Sequence, residues 1–378
     1  MCMHDTDMVK MCQATPLIVG TDAGSDYTLT AASLRAALSS SPSSSSSSSS
    51  SGPVSCLILC NPSNPTGCVS GQTSLEDIAA VLRDYPSVIV LSDEIYERLT
   101  YEDTPHVSFA SLPGMFERTI TINGFRCVCV CVCHIYITGT ALLLLLIDII
   151  IIIISSLHTH SHSLSLFLPF FLHAWTNSKS HSMTGYRIGY SCAPLRISKA
   201  ISKLQSQITS CASSISQHAA HFALTSMPVT NPQWMADRVG ELQVKRDLAY
   251  TLLHRIPGVS CPKPMGAFYL LPDVTCYYGK RLLLPPPHSS ASSELDPSSS
   301  SSSSSRVVAA DDDDEEQGGV IISDSHVLCM QLLRREGVAL VPGEAFGAPS
   351  TVRISYAASA ETITEAISRL HKFLVSLQ

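Results

Sequence analysis

Residues 56–67 read Cys-Leu-Ile-Leu-Cys-Asn-Pro-Ser-Asn-Pro-Thr-Gly, and this stretch decides the fold prediction. Its first five residues predict a short apolar strand, and the asparagines and prolines after it predict a turn. Residues 75–85 then have helical spacing, and residues 88–91 are predicted to form a second buried strand. A strand, a helix and a strand in this order predict a parallel, doubly wound α/β sheet.

The same alternation continues toward the carboxyl terminus. Thr73 and Ser74 are candidate caps of the first helix. Further short strands are predicted at 119–122 and 187–191. From residue 235 the pattern predicts a helix to 256, a strand at 267–271, a helix at 324–335, a strand at 352–356 and a helix at 361–377. We therefore predict a large domain over 1–234 and a small α+β domain over 235–378.

Two polar tracts interrupt these predicted domains. Residues 39–51 are nearly all serine, and a disordered insertion is predicted over 281–319. The second tract contains six consecutive acidic residues, 311–316, which account for most of the net charge of -7. The rest of the chain has no basic footprint, so nucleic-acid binding is excluded. Four of the 14 cysteines alternate with valine over 127–133, and the other ten lack paired spacing, which favours a reducing compartment.

Residues 126–177 do not resemble part of a folded domain. Valine and cysteine alternate over 127–133, and the apolar run 135–154 is long enough to cross a bilayer. A translated GT dinucleotide repeat gives alternating valine and cysteine, and pyrimidine-rich nucleic acid encodes serine, leucine, phenylalanine and proline. Because these are signatures of the two ends of an intron, we predict a retained intron. A genuine membrane-spanning insertion is the alternative. Histidines 158, 160 and 162 alternate as metal ligands can, but they lie inside this segment, and no metal site is predicted.

Polar side chains follow the predicted strands of the large domain. Asn64 follows the first strand, Asp93 and Tyr96 end the second, and Lys179 follows the third once 126–177 is removed. Ligands bind at the carboxyl ends of parallel strands. A lysine and a carboxylate at one crevice suggest a cofactor held as an imine, such as pyridoxal phosphate. Taken singly, Asp93 could be a helix cap, Asn64 a turn residue and Lys179 a solvated lysine.

Four motifs in order carry a resemblance to a known family. They are Asn-Pro-Ser-Asn-Pro-Thr-Gly at 61–67, Ser-Asp-Glu-Ile-Tyr at 92–96, Ser-Lys with Met-Thr-Gly-Tyr-Arg-Ile-Gly-Tyr within 178–190, and Val-Arg-Ile-Ser-Tyr-Ala at 352–357. With them the chain resembles the class I aminotransferases of the fold-type I pyridoxal-phosphate enzymes. Residues 108–118, 205–210 and 341–347 look most like the prokaryote-type plastid aspartate/prephenate aminotransferases.

The resemblance implies a role for each cofactor-binding residue. Lys179 would hold pyridoxal phosphate covalently and, once freed, transfer the substrate Cα proton. Asp93 would pair with the pyridine nitrogen and keep it cationic. Tyr96 and Asn64 would hydrogen-bond the ring hydroxyl oxygen.

The resemblance also implies phosphate and substrate ligands. Ser178 and Arg187 would bind the phosphate, and Arg353 would bind the substrate carboxylate as a planar fork. Asn64 would also bind the substrate. Arg187 and Arg353 taken singly would be surface charges. Removing 126–177 brings Lys179 to the distance from Asp93 along the chain that family members have.

The family further implies a homodimer that exchanges amino groups between aspartate or glutamate and oxaloacetate, 2-oxoglutarate or prephenate. Plastid or cytoplasmic location is an implication of the resemblance alone. Family members carry well over a hundred residues before the point where this chain starts, including a glycine-containing phosphate loop. We therefore expect the chain as written to be an inefficient enzyme. A non-catalytic protein tethered to a membrane through 135–154 is the alternative.

Overall fold

The computed structural model describes residues 3–40, 53–124, 183–283 and 319–378. Outside these ranges lie the predicted insertion 126–177, with its apolar run and its alternating histidines, and the predicted site residues Ser178 and Lys179. Most of the two polar tracts lies outside them as well.

The helices and strands of the described ranges follow in chain order. The helices are α1 (Met3–Met11), α2 (Ala31–Ser40), α3 (Gln72–Arg83), α4 (Leu195–Ile208), α5 (Ser214–Thr225), α6 (Met227–Thr230), α7 (Trp234–Leu253), α8 (Ser325–Glu336) and α9 (Ala360–Ser376). The strands are β1 (Cys56–Cys60), β2 (Ile89–Asp93), β3 (Thr119–Gly124), β4 (Gly189–Cys192), β5 (Tyr269–Leu270), β6 (Arg281–Leu282), β7 (Val320–Ile321), β8 (Val341–Pro342) and β9 (Val352–Ser355).

A four-stranded sheet with the order β1-β2-β3-β4 organises the first half of the described chain. Strands β1, β2 and β3 run parallel, which confirms the predicted parallel sheet for these three. Strand β4 runs antiparallel to β3. It begins at Gly189 rather than at Arg187, because Arg187 adopts a left-handed backbone conformation that a strand does not admit.

Helix α3 connects β1 to β2 and covers the sheet. Its apolar residues recur at helical spacing and are fully buried, namely Leu75, Ile78, Ala79 and Leu82. Burial of one such leucine or isoleucine contributes about 1.5–3 kcal/mol. The same apolar cluster includes Leu34 and Leu38 of α2. These contacts fix the sheet against its helices.

The predicted caps of α3 are wrong. The helix begins at Gln72, with Gly71 as the N-cap and no side-chain cap hydrogen bond. Thr73 and Ser74 therefore lie inside the first turn. The Gln72 amide donates to the Glu76 carboxylate at 2.8 Å and supports that turn instead.

The carboxyl-terminal half has its own apolar core. Helices α7, α8 and α9 contribute to it together with the antiparallel sheet β5-β9-β8. The predicted helix at 324–335 is shifted by one residue, because the Asp324 side chain accepts from the backbone N–H of Val327 at 2.8 Å and caps the helix. In the sheet, Tyr269 pairs with Ser355 and Leu270 with Ile354. This register positions β9, which carries Arg353.

Residues at the edges of the two predicted polar tracts lie in regular structure. Helix α2 continues through Ser39 and Ser40, and the Ser39 hydroxyl donates to the Arg35 carbonyl oxygen at 2.8 Å. Arg281 and Leu282 pair with Ile321 and Val320 in a two-stranded ladder, so they belong to regular structure.

No helix within the described ranges has both the length and the apolar character that crossing a membrane requires. The apolar run 135–154, for which a span was the alternative prediction, lies outside those ranges.

Candidate active site

The carboxyl ends of β1, β2 and β3 meet at one edge of the large sheet. The ladder aligns Cys60 with Asp93 and Asp93 with Ile122. Backbone hydrogen bonds continue past the strands, from Asn61 N–H to the Asp93 carbonyl at 3.0 Å and from Glu94 N–H to the Ile122 carbonyl at 2.9 Å. The segments after all three strands therefore begin side by side, as ligand sites of parallel sheets require.

The turn after β1 is held from both ends. The Asn61 side chain accepts from the backbone N–H of Ser70 at 2.8 Å and donates to its carbonyl. Gly67 has φ +68°, and a Cβ there would lie 2.4 Å from Pro264 Cβ. Its carbonyl also accepts from the N–H groups of Met265 and Gly266. Only glycine permits this close approach, which joins the turn to the segment before β5.

Asp93 ends β2 with a buried carboxyl group that is 3% exposed. Its Oδ1 accepts from the Ile95 N–H at 3.3 Å. The Cys60 Sγ lies 3.5 Å from both Asp93 Oδ2 and the Pro62 carbonyl oxygen, so its one hydrogen serves either acceptor. Burial raises the pKa of Asp93 to about 7, and the nearby Asp5 and Glu94 carboxylates act in the same direction.

Glu94, the next residue, is buried to a similar degree but is surrounded by donors. Its Oε1 accepts from the hydroxyls of Ser92 and Ser108 at 2.8 and 3.0 Å and from the Phe109 N–H at 3.0 Å. Its Oε2 lies 3.2 Å from His106 Nε2. Glu94 therefore anchors the 106–109 segment to the end of β2.

Glu94, Glu97 and His106 offer possible metal-ligand atoms within 4.8 Å of one another. Both oxygens of Glu94 already accept hydrogen bonds, which accounts for this cluster as a structural anchor.

Tyr96 lies just beyond Asp93 and is 1% exposed. Its hydroxyl lies 3.1 Å from the Tyr269 hydroxyl, and its ring makes edge-to-face contacts with Phe268 and Tyr269, with centroids 5.5 and 5.9 Å apart. Tyr96 is thereby fixed by residues at the start of β5.

Arg353 on β9 reaches the turn after β1. Its Nη1 donates to Asn64 Oδ1 at 2.9 Å. Its guanidinium carbon lies 4.5 Å from the ring centroid of Tyr269 and 4.8 Å from that of Phe346. The structure thus brings together two predicted site residues that are 289 positions apart in the sequence. A guanidinium held in this way can bind a carboxylate as a bidentate fork.

Arg187 lies at the same edge of the sheet. It precedes β4, whose first residue, Gly189, pairs with Gly124 at the carboxyl end of β3. Its backbone has φ 55° in the left-handed region, a conformation that is uncommon outside glycine and that clusters at functional sites. Ser178 and Lys179 lie outside the described residues, so their roles stay predictions.

Sequence reasoning missed four residues near this edge, which are Tyr269, Phe346, Cys60 and Asp5. Tyr269 was predicted only as part of an apolar strand, although its hydroxyl was a signal that one end of the side chain needed a polar partner. Asp5 is buried on α1, which contacts the turn Gly343–Phe346. No periodic pattern marked Asp5.

Comparison with known proteins agrees with this geometry. The family model for aminotransferase class I and II matches residues 4–370. An aspartate aminotransferase of Pinus pinaster is 33% identical over 99% of this chain and 56% of its own length. A bifunctional aspartate aminotransferase and glutamate/aspartate-prephenate aminotransferase of Petunia hybrida is 33% identical over 98% of this chain and 57% of its own length.

Solved structures give the same result. The aspartate aminotransferase of Rhizobium meliloti superposes with a TM-score of 0.68 and 28% identity, over 99% of this chain and 68% of that one. An aromatic aminotransferase of Pyrococcus horikoshii superposes with a TM-score of 0.62 and 26% identity, over 96% of this chain and 67% of that one. The fold is therefore that of the fold-type I aminotransferases. The chain spans little more than half the length of the two plant relatives, and the match over residues 4–370 shows that it belongs to the class I and II aminotransferase family.

Proposed function

We propose that this chain is part of a pyridoxal-phosphate aminotransferase that exchanges amino groups between an amino acid and a 2-oxo acid. One observation carries the proposal. A buried acid with a raised pKa, Asp93, lies at the same sheet edge as an arginine and asparagine pair, Arg353 and Asn64. The reaction needs two groups in one crevice. One is an acid that pairs with the protonated ring nitrogen of the cofactor, and the other is a guanidinium that binds the substrate carboxylate.

The residues at this edge fit the cofactor. Asp93 accepts one long N–H bond and one weak thiol contact, so its carboxylate retains acceptor capacity for a protonated ring nitrogen. When bound, pyridoxal phosphate supplies an electron sink for the bond broken at the substrate Cα. Asp93 would hold the proton on the ring nitrogen, and the hydroxyl of Tyr96 would donate to the ring oxygen.

The lysine and the phosphate ligands complete the proposed site. Lys179 would hold the cofactor and move the proton from the substrate Cα. Ser178 and Arg187 would bind the phosphate, and the position of Arg187 beyond the end of β3 supports this. A glycine-containing phosphate loop, which the family resemblance implies, would supply the remaining donors.

Arg353 would bind the α-carboxylate of the substrate and orient the Cα–H bond for cleavage. Aspartate and glutamate as amino donors, and oxaloacetate, 2-oxoglutarate or prephenate as acceptors, are proposed from the sequence resemblance. The names of the pine and petunia relatives include aspartate, glutamate and prephenate, which supports this choice. We also propose a homodimer, a division into domains at 234/235, and a mature protein without 126–177.

An absorbance titration tests the proposal. The chain as written and a variant lacking 126–177 are each mixed with pyridoxal phosphate and then with aspartate. We expect a visible band of the lysine-bound cofactor that shifts when aspartate is added, most strongly in the deletion variant.

Substitution of the lysine is the control for this titration. Lys179→Ala should abolish the band, whereas Lys203→Ala, which replaces an exposed lysine of α4, should leave it unchanged. Absence of the band from both forms would contradict the proposal for this chain. A band that persists in Lys179→Ala would contradict the assignment of the lysine.

A further inference from the structure

Tyr269 contacts both halves of the proposed site. Its hydroxyl lies 3.1 Å from that of Tyr96, and its ring lies against the guanidinium of Arg353 with 4.5 Å between the centroid and the central carbon. We infer that Tyr269 is a positioning residue that couples the carboxylate-binding Arg353 to the cofactor-binding Tyr96. This inference rests on the proposed function, which assigns those two roles.

The backbone explains how one side chain reaches two partners. In the antiparallel β5-β9 pair, Tyr269 lies opposite Ser355, two residues from Arg353 on β9. Side chains two residues apart on a strand point to the same face, and diagonal neighbours are within reach of an aromatic ring and an arginine. The ladder therefore fixes the Tyr269 ring against Arg353.

The ring of Phe346 also lies against Arg353. The guanidinium carbon contacts the rings of Tyr269 and Phe346, with 4.8 Å to the Phe346 centroid. Asn64 Oδ1 accepts a hydrogen bond from Nη1. A cation against an aromatic face gains about 0.5–2 kcal/mol, depending on exposure. Because the fork is already oriented, Arg353 loses less conformational freedom when it binds a carboxylate. Tyr269 and Phe346 thus contribute to substrate affinity without touching the substrate.

The hydroxyl pair controls a proton. Tyr96 and Tyr269 are both buried, so the hydrogen bond between their hydroxyls forms in a low-dielectric environment. Which hydroxyl donates decides whether the Tyr96 proton is free to bond another group. When the Tyr269 O–H donates to the Tyr96 oxygen, the Tyr96 proton is available for the ring oxygen of the cofactor. Loss of the Tyr269 hydroxyl would leave the Tyr96 proton without this orientation.

Three substitutions separate the two contacts. Tyr269→Phe removes the hydroxyl and keeps the ring, Phe346→Leu removes only the second ring, and Tyr269→Leu removes both contacts of Tyr269. Maleate, a dicarboxylate that does not react, serves as the probe for Arg353, and its Kd is measured by calorimetry. The pH dependence of the band of the bound cofactor reports on Tyr96.

We expect a crossed pattern of effects. Tyr269→Phe should leave the Kd for maleate within about two-fold while raising the pKa of the lysine-bound cofactor. Phe346→Leu should raise the Kd about three- to five-fold and leave that pKa unchanged. Tyr269→Leu should show both effects. An unchanged pKa in Tyr269→Phe, or an unchanged Kd in Tyr269→Leu, would overturn the coupling.

A measurement without cofactor separates this inference from the proposed function. In the cofactor-free full chain, Tyr96→Phe and Tyr269→Phe should each lower the folding equilibrium constant about five-fold, as loss of one buried hydrogen bond does. The folding equilibrium constant of the double variant should be no lower than that of a single variant. If the two hydroxyls acted independently, it would be about 25-fold below that of the parent chain. If the losses in the folding equilibrium constant are additive, the inference is refuted even if the chain binds the cofactor. If they are non-additive and the chain binds no cofactor, only the proposed function is refuted.

Discussion

Asp93 and Glu94 are neighbours at the end of β2, and both are buried, but their surroundings differ. Glu94 accepts from two hydroxyls, one backbone N–H and His106, whereas Asp93 accepts from one N–H at 3.3 Å and one thiol at 3.5 Å. A buried carboxylate with a full set of donors is a structural anchor. One with few donors has a raised pKa and capacity for a ligand.

The first prediction tests the functional side of this comparison. Asp93→Asn keeps the shape of the side chain but cannot hold a proton on the cofactor ring nitrogen. We expect transamination of aspartate, in the form of the chain that binds the cofactor, to fall about 1,000-fold, equivalent to about 4 kcal/mol of barrier. Turnover measured with saturating cofactor checks this. Asp77→Asn, at an exposed position of α3, is the matched control and should retain parental turnover.

Asp93→Asn should not weaken the fold at neutral pH, because the carboxyl has few partners to lose. More than a tenth of parental turnover in Asp93→Asn would show that the ring acid lies elsewhere.

The second prediction concerns pH. Burial raises the pKa of folded Asp93 from 3.8 to about 7, so between these values the folded chain holds a proton that the unfolded chain has released. The free energy of unfolding of the cofactor-free chain should therefore fall as pH rises from 4 through 7, by at most about 4 kcal/mol from this group. Urea denaturation from pH 5 to 8 measures the free energy of unfolding of the parent chain and of Asp93→Asn. The contribution of Asp93 is the difference between the two at each pH.

The reference variant isolates Asp93 from every other titrating group. A difference between parent and Asp93→Asn that stays constant across this range would contradict the raised pKa. Bound pyridoxal phosphate should reduce the slope, since a cationic ring nitrogen favours the ionised carboxylate.

The sequence was sufficient to predict where Asn64 and Asp93 lie in the sheet. Asn64 and Asp93 follow apolar strands directly, and the parallel order of β1 and β2 is enough to bring their ends together. Arg353 was identified through its motif, and the structure connects it with Asn64. Family membership and fold class likewise follow from the four motifs, which occur in the order that the family has.

Sequence reasoning failed where position depends on tertiary pairing. Tyr269 and Phe346 contact Arg353 because β5 pairs with β9 and the turn at 343–346 folds back, and neither contact leaves a periodic signal in the sequence. The cap of α3 failed for a related reason. Thr73 and Ser74 are residue types that favour the N-cap, but Gly71 takes that position with an extended backbone and the helix begins at Gln72.

The third prediction tests the structural side of the comparison and has the smallest expected effect. Glu94→Ala leaves the Ser108 hydroxyl and the Phe109 N–H without their acceptor, so we expect the free energy of unfolding to fall by about 1–3 kcal/mol. Glu94→Gln retains one acceptor oxygen and should recover part of the loss. Urea denaturation at pH 7 gives both values, and Glu117→Ala, at an exposed position, should be neutral within about 0.5 kcal/mol.

The contrast with Asp93 makes this result decisive. If Glu94 is the anchor and Asp93 the ligand group, stability should fall in Glu94→Ala and not in Asp93→Asn, whereas loss of cofactor contact should follow the opposite order. Equal destabilisation by both substitutions would mean that the two carboxyls share one structural role. The weak hydrogen bonding of Asp93 would then have no functional meaning, since a raised pKa alone also occurs in structural clusters.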